Sequence, residues 1–446
     1  MNRTTQTCAA LILLLVLILP GAAAQMPEDL PAGTDAIQQP AESTNDTTVV
    51  HLEQLIETAL RTNPALHAAY LRAEAMATES REARTLPDPT AGFTYQPLPL
   101  LTARGYQRSQ WRFEQMVPFP GKLRLRGKVA GLSAEVAVSE ADVVAEDLTL
   151  QILQVYDELY RVQEQSHLVE QFQEELRNFE EAAATRYEVG EGLQQSILKA
   201  QLERNALNIR LEKLAEESRA AMERLAFLLD LPDLSDLEGR VLARRAAVDR
   251  SGDLLERALA ERPEVDALRT EIDRSETSID LAQREFLPDF MLGVNYFDIG
   301  ASGEMPTATG RDAVALNLGV RLPLWRGKQR ANLQQAKLER SRAEARLQSL
   351  ETSIRTTISN LDHRLERQER QLALLEKDLL PLAHSTVEAT LSAYGTGRTS
   401  FLDLLDAERM LFNLRMEHVD TRARYLQTSA ELERALGSQA SRASPQ

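Results

Sequence analysis

Between Gly121 and Leu231 the chain contains no proline, and between Leu324 and Ser444 it contains only Pro381. A proline inside a helix removes a backbone hydrogen bond and clashes with the preceding turn. Runs this long without one leave room for helices that few globular domains can use. Lys122 to Tyr187 alone, as one helix, would reach about 100 Å at ~1.5 Å per residue. Ala, Leu, Glu, Gln and Arg dominate these tracts, while aromatics make up 5% of the chain and charged residues 26%. That is the composition of long or coiled helices. Leu148, Ile152, Val155, Leu159 and Val162 step by four and three, as do Leu361, Leu365, Gln368, Leu372, Leu375 and Leu379, the spacing of a buried coiled-coil seam.

The chain repeats itself. Ala59 to Tyr95 is answered by Ala258 to Phe297, each with an early proline, a helical stretch and Leu-Pro-Asp before a β-like run. VPFPGK (117–122) is answered by LPLWRGK (322–328), and YEVGEGLQQSILKAQ (187–201) by YGTGRTSFLDLLDAE (394–408). Pro64 and Pro263 are 199 positions apart, Pro87 and Pro288 201, Gly190 and Gly397 207. Landmarks in one order at nearly one offset mark two copies of one unit. The expected organisation is a signal peptide (1–24), a flexible lead (25–50), a first repeat (51–231), a connector (232–257), a second repeat (258–436) and a short tail (437–446). In each repeat the long helix is expected to turn back at a glycine pair, Gly190 and Gly192 in the first, Gly395 and Gly397 in the second, giving an antiparallel hairpin.

Ahead of each long helix lie two stretches of period two. Phe93 and Tyr95 alternate with Thr94 and Gln96, and Trp111 and Phe113 with Arg112 and Glu114. Leu292, Val294 and Tyr296 alternate with Gly293 and Asn295. Val314, Leu316, Leu318, Val320 and Leu322 alternate with Ala315, Asn317, Gly319 and Arg321. Such strands suit a membrane β-barrel or a small sheet on a soluble core. In lipid, four strands leave unpaired edges, so several chains must share one barrel.

Asn2-Arg3, the apolar run from Ala9 to Leu19 and the small residues up to Ala24 have the three regions of a secretory signal peptide. Cys8, the only cysteine, precedes the apolar run, which implies no lipid anchor and no disulfide in the exported chain. The net charge of −16, or −17 once Arg3 leaves with the signal, excludes a nucleic-acid binder and favours cations at the surface. The six histidines and nine methionines are dispersed, and no zinc motif, Walker loop, dinucleotide fingerprint or nucleophile elbow is present. An enzyme reading has no residues to stand on, and no cofactor or metal site is implied. Asp403 and Asp406 share one helical face at the second tip. A solvated face would explain them singly; in a symmetric assembly they would become a ring of carboxylates.

The duplicated unit, two strands per repeat, long hairpins and the tip YGTGRTSFLDLLDAERMLFNLR together resemble the TolC family of outer-membrane efflux ducts, over essentially the whole chain from His51 to about Leu436. The resemblance implies an α+β membrane protein: a homotrimer in which each chain gives four strands to a twelve-stranded barrel, with the helical hairpins continuing as a periplasmic α-barrel. It further implies a periplasmic adaptor and an inner-membrane pump as partners, with the first tip more similar to members that serve metal-exporting resistance-nodulation-division pumps. By the same resemblance, Asp403 and Asp406 fall on an acidic constriction. Tyr394, Arg398, Tyr187, Gln195 and Ser196 fall where tip-closing contacts lie. Two departures stand out: Arg398 directly follows Gly397, and Gln195-Ser196 occupies the place of an acidic partner. The alternatives are a periplasmic adaptor or structural coiled coil, which would lack four lipid-compatible strands, a porin, and an outer-membrane enzyme.

Overall fold

The computed structural model describes residues 51–190, 192–231, 241, 250–301 and 309–437. The expected signal peptide and lead, most of the connector, part of the second strand loop and the tail beyond Gly437 lie outside the described residues.

The first repeat comprises α1 (Leu52–Thr62), α2 (Pro64–Glu82), β1 (Thr90–Thr102), β2 (Gly105–Val117), α3 (Lys122–Glu188) and α4 (Gln194–Leu229). The second comprises α5 (Leu254–Glu261), α6 (Pro263–Arg284), β3 (Asp289–Gly300), β4 (Ala313–Arg321), α7 (Arg326–Leu374), a π turn (Leu375–Leu379), α8 (Leu380–Gly395) and α9 (Phe401–Leu436). α5 thus starts inside the expected connector span, because the Asp253 carboxylate accepts from the Leu255 and Glu256 amides and caps the helix there.

Local chemistry sets the boundaries. Asn63 accepts from the amides of Ala65 and Leu66, with Pro64 at the first helical position, and so starts α2. Its amide also donates to Leu228 O at 3.0 Å, and Thr62 Oγ1 donates to Leu229 O at 2.7 Å. The kink between α1 and α2 therefore closes the last turn of α4. The 67-residue α3 runs unbroken as the missing prolines predict. Its stripe Leu148, Ile152, Val155, Leu159 and Val162 is wholly buried.

Pro381 does not end the second long helix. The ladder opens into the π turn immediately before it, a wider turn that relieves the clash of the proline ring with the preceding carbonyl. A π bulge also absorbs one surplus residue, and the sequence holds one: Gly121 and Gly327 are 206 apart, Gly190 and Gly397 207. The buried stripe shows the same phase change. After Leu361, Leu365 and Gln368 it continues through Leu375, Ala383 and Val387.

α3 packs on α4 and α9, and α9 in turn on α7 and α8, so the hairpins lie side by side. Val162, Val169, Phe172, Leu176, Leu207, Leu214, Leu405, Phe412 and Met416 form their common core. Phe172 and Phe412 stack at 4.6 Å across the two repeats. Midway up, Arg434 near the end of α9 meets Glu146 at 2.7 Å, Asp147 at 2.8 Å and Glu264 at 2.6 Å. Burial pushes the Glu146 carboxyl up to about 7 against the pull of Arg434. Burial also acts to raise Glu264, but hydrogen bonds from Arg262 and Arg434 outweigh it and bring that carboxyl down to about 2. One guanidinium thereby pins three helices.

Candidate functional site

The four strands form one antiparallel sheet in the order β1-β2-β3-β4, with β1 and β4 as free edges. Directly opposed residues share a face, so register converts the period-two patterns into rows. Phe93, Trp111, Tyr296 and Val314 make one row, and Ala91, Phe113, Val294 and Leu316 the next. Leu292 and Leu318 extend it. On the other face the corresponding rows read Gly92, Arg112, Asn295 and Ala315, then Thr90, Glu114, Gly293 and Asn317. The apolar face is open: Leu316 is 82% exposed and Leu318 75%. Its size in water would be a liability, whereas apolar-out and polar-in alternation on strands of 9 to 13 residues is what a bilayer-embedded barrel requires. Pro97 and Pro99 sit on the edge strand beside its register shift, where proline is tolerated. No helix among the described residues is long and apolar enough to cross a membrane. The soluble-sheet alternative has no core for this face to cover.

At the far end of the hairpins the two tips turn on one residue each. Gly190 has φ 82° and Gly397 φ 71°, the left-handed conformation that ends a helix and that glycine adopts without strain. Gly192 serves differently, since a side chain there would stand 2.8 Å from the Tyr187 amide. Gly395 is the last residue of α8 and faces open space. In the second tip the Ser400 hydroxyl caps α9, and the Asp403 carboxylate accepts from the Ser400 amide at 3.0 Å and the Thr399 hydroxyl at 2.7 Å. Hydrogen bonds from Ser400 and Thr399 hold the Asp403 carboxyl below the usual carboxylate range. Asp406 is exposed on the same side, 3.9 Å from Arg409 Nη1. Both acids face away from the hairpin core, where Leu404 and Leu405 are buried.

Of the expected tip contacts, Tyr394 is engaged, and its partner is Arg186. The guanidinium lies 4.3 Å from the Tyr394 ring centroid and donates to Tyr394 O at 3.1 Å. Tyr187 is exposed beside it, as are Gln195 and Arg398, while Ser196 is half-buried. The Arg398 amide donates to Ala393 O at 2.9 Å, completing the turn. A second tie joins the returning helices, from Arg409 to Glu203. Nearby, Glu408 is buried against α3 and α8. Burial first, and the like charge of Glu175 second, push its carboxyl up to about 7, with Arg415 and His384 opposing. Burial raises Glu175 as well. Arg186, Glu203 and Arg409 escape sequence reading because their partners lie on the other hairpin. Glu408 left a signal: it interrupts the apolar spacing of Phe401, Leu404, Leu411 and Phe412.

A family model described as outer membrane efflux protein matches residues 254–438, the second repeat. The chain is similar to the TolC family of outer-membrane efflux proteins. The cobalt-zinc-cadmium resistance protein CzcC of Cupriavidus metallidurans is 22% identical to this efflux protein, over 86% of this chain and 90% of that one. Among solved structures, the outer-membrane channel OprN superposes with a TM-score of 0.71 at 19% identity, covering 87% of this chain and 90% of that one. CusC superposes with 0.72 at 17% identity, covering 90% and 95%. The fold is theirs, and the sheet of the efflux protein sits in the outer membrane with its helices reaching into the periplasm. The adaptor alternative is set aside by the four lipid-compatible strands.

Proposed function

We propose that three copies of the chain close into one passive duct, through which an inner-membrane pump and a periplasmic adaptor expel cations, metal ions foremost. The observation that carries this is the sheet: apolar on one face, polar on the other, and open at both edges. An open edge in lipid strands unpaired backbone groups, which closure with neighbouring copies satisfies. The polar rows of Arg112, Asn295, Glu114 and Asn317 then line a water-filled lumen. No step in such a duct needs catalysis, and energy and choice of cargo belong to the pump, here taken to be of the resistance-nodulation-division class.

The metal assignment draws on the similarity to CzcC, a cobalt-zinc-cadmium resistance protein, and on the acidic second tip. Among the described residues no cluster of His, Cys, Asp and Glu could hold a metal ion. Asp403 and Asp406, repeated three times around the mouth, would concentrate cations and would do so less at high salt. Tyr394 with Arg186, and Glu203 with Arg409, hold each chain's two tips together beside that ring. The test is single-channel conductance of the detergent-purified protein in a planar bilayer, with a multivalent cation added to each side in turn. Block from one side only, lost in Asp403→Ala/Asp406→Ala, is the expected result. Block that ignores the variant would refute the acidic mouth, and no conductance at all would refute the duct.

A further inference from the structure

One ion pair joins the repeats at the base of the sheet. Lys122, 3% exposed at the start of α3, donates to Asp289 Oδ1 at 2.7 Å and to Leu287 O at 2.8 Å. The Phe119 amide donates to the same carboxylate at 2.9 Å, and the Phe119 ring lies 6.4 Å from Phe290. Lys122 comes from the first repeat's Gly-Lys and Asp289 from the second repeat's Leu-Pro-Asp. Each has a counterpart at the equivalent place in the other repeat: Lys328 follows Gly327 at the start of the second long helix, and Asp88 ends the Leu-Pro-Asp ahead of β1. Both of these are exposed and make no ion pair among the described residues. The residues around them are exposed too: Pro89, the counterpart of Phe290, and Trp325, 88% exposed at the start of α7.

The clamp therefore joins the start of the long helix in repeat one to the start of the first strand in repeat two, and the start of the long helix in repeat two carries an unused half of the same clamp. Within one chain Lys328 has no following repeat to meet. In a closed ring it does, because the next copy presents its own first repeat there. We infer that Lys328 pairs with Asp88 of the partner subunit, reproducing across the subunit boundary the clamp that Lys122 and Asp289 make inside the chain. This rests on the trimeric reading above and deepens it to a defined contact.

The same equivalence sets the strand register at the boundary. Inside the chain Phe113 opposes Val294 and Trp111 opposes Tyr296. Phe113 and Trp111 correspond to Leu318 and Leu316, and Val294 and Tyr296 to Phe93 and Tyr95, through the aligned motifs that flank each strand. β4 then pairs antiparallel with the partner's β1, with Leu318 opposite the partner's Phe93 and Leu316 opposite the partner's Tyr95. All four side chains fall on the lipid face. A shift of one residue would turn that row into the lumen.

The test follows the heat conversion of detergent-purified trimer to monomer on denaturing gels. Asp88→Lys and Lys328→Asp should each lower the conversion temperature, and the double swap Asp88→Lys/Lys328→Asp should recover most of the loss. Single variants that convert like wild type, or a swap no better than its worse parent, would overturn the clamp. For the register, in a Cys8→Ser background, Phe93→Cys/Leu318→Cys should oxidise to a covalent trimer, since directly opposed strand residues meet disulfide geometry. Phe93→Cys/Leu322→Cys should not. The reverse pattern would overturn the register while leaving the trimer standing. A wild-type protein that is monomeric in every detergent would overturn the duct itself, and the clamp with it.

Discussion

The two tips of this efflux protein descend from one sequence and now differ in nearly everything except the turn. Gly190 and Gly397 hold the same left-handed conformation 207 positions apart. Beyond them, the second tip has a reciprocal Ser400 and Asp403 cap, two exposed acids and a buried glutamate. In the first, Leu193 stands at the cap position without a side-chain hydrogen bond, and Ser196 and Lys199 stand where Asp403 and Asp406 do. Duplication has preserved the backbone solution and concentrated the charge chemistry in one copy. A turn is a constraint each hairpin must meet alone, whereas the proposed acidic mouth needs only one set of acids per chain.

The sharpest break of this comparison uses one repeat position in both copies. Leu405 is 2% exposed and its counterpart Leu198 57% exposed. Leu405→Ala should cost about 2–5 kcal/mol through the cavity it leaves. Leu198→Ala should stay within about 0.5 kcal/mol in the isolated chain. Denaturant unfolding followed by circular dichroism separates them, and equal costs would mean the tips pack alike.

Next in size is Glu408, which corresponds to the neutral Gln201 of the first tip. Its raised carboxyl binds a proton in the folded chain when the unfolded chain has lost it, between the ordinary glutamate value of 4.5 and about 7. Stability must therefore fall as pH rises through that window, by on the order of 1–3 kcal/mol. Glu408→Gln should flatten the slope and stabilise the tip at neutral pH. Unfolding midpoints at pH 5 and pH 8 check it, and an unchanged slope would place the titration elsewhere.

The caps offer a smaller and reciprocal test. Ser400→Ala should weaken the start of α9 by about 1 kcal/mol, and Leu193→Ser should strengthen α4 by a similar or lesser amount. Amide exchange in the first turn of each helix reads both. The smallest effect is expected from Arg186→Ala, about 0.5–1 kcal/mol for the partly exposed contact with Tyr394. It should appear as faster exchange at both tips together. Exchange confined to one tip would show that the link does not couple them.

What could be read beforehand was whatever a single segment decides by itself. Alternation along Leu292 to Tyr296 and Val314 to Leu322 fixes which face of a strand is apolar, and no neighbour is needed to see it. A glycine after Tyr187 plus two residues, or after Thr396, announces a left-handed turn in the same way. The acids Asp403 and Asp406 were visible as a shared face, but the engagement of Asp403 with Ser400 and Thr399 depends on where α9 starts. The partners of Tyr394 and Arg409 were out of reach, because Arg186 and Glu203 meet them only once two hairpins lie side by side. Lys122 and Asp289, 167 positions apart, belong to the same class.

The π turn at Leu375–Leu379 has a bearing on how such a chain can change over generations. A residue gained in a helix of this length would rotate everything downstream by roughly 100°, swinging the second tip out of line with the first. Here the surplus residue is consumed locally, and Phe412 still lies against Phe172. The two copies are thus free to drift in length one residue at a time, with the bulge acting as the slack that keeps their ends in step.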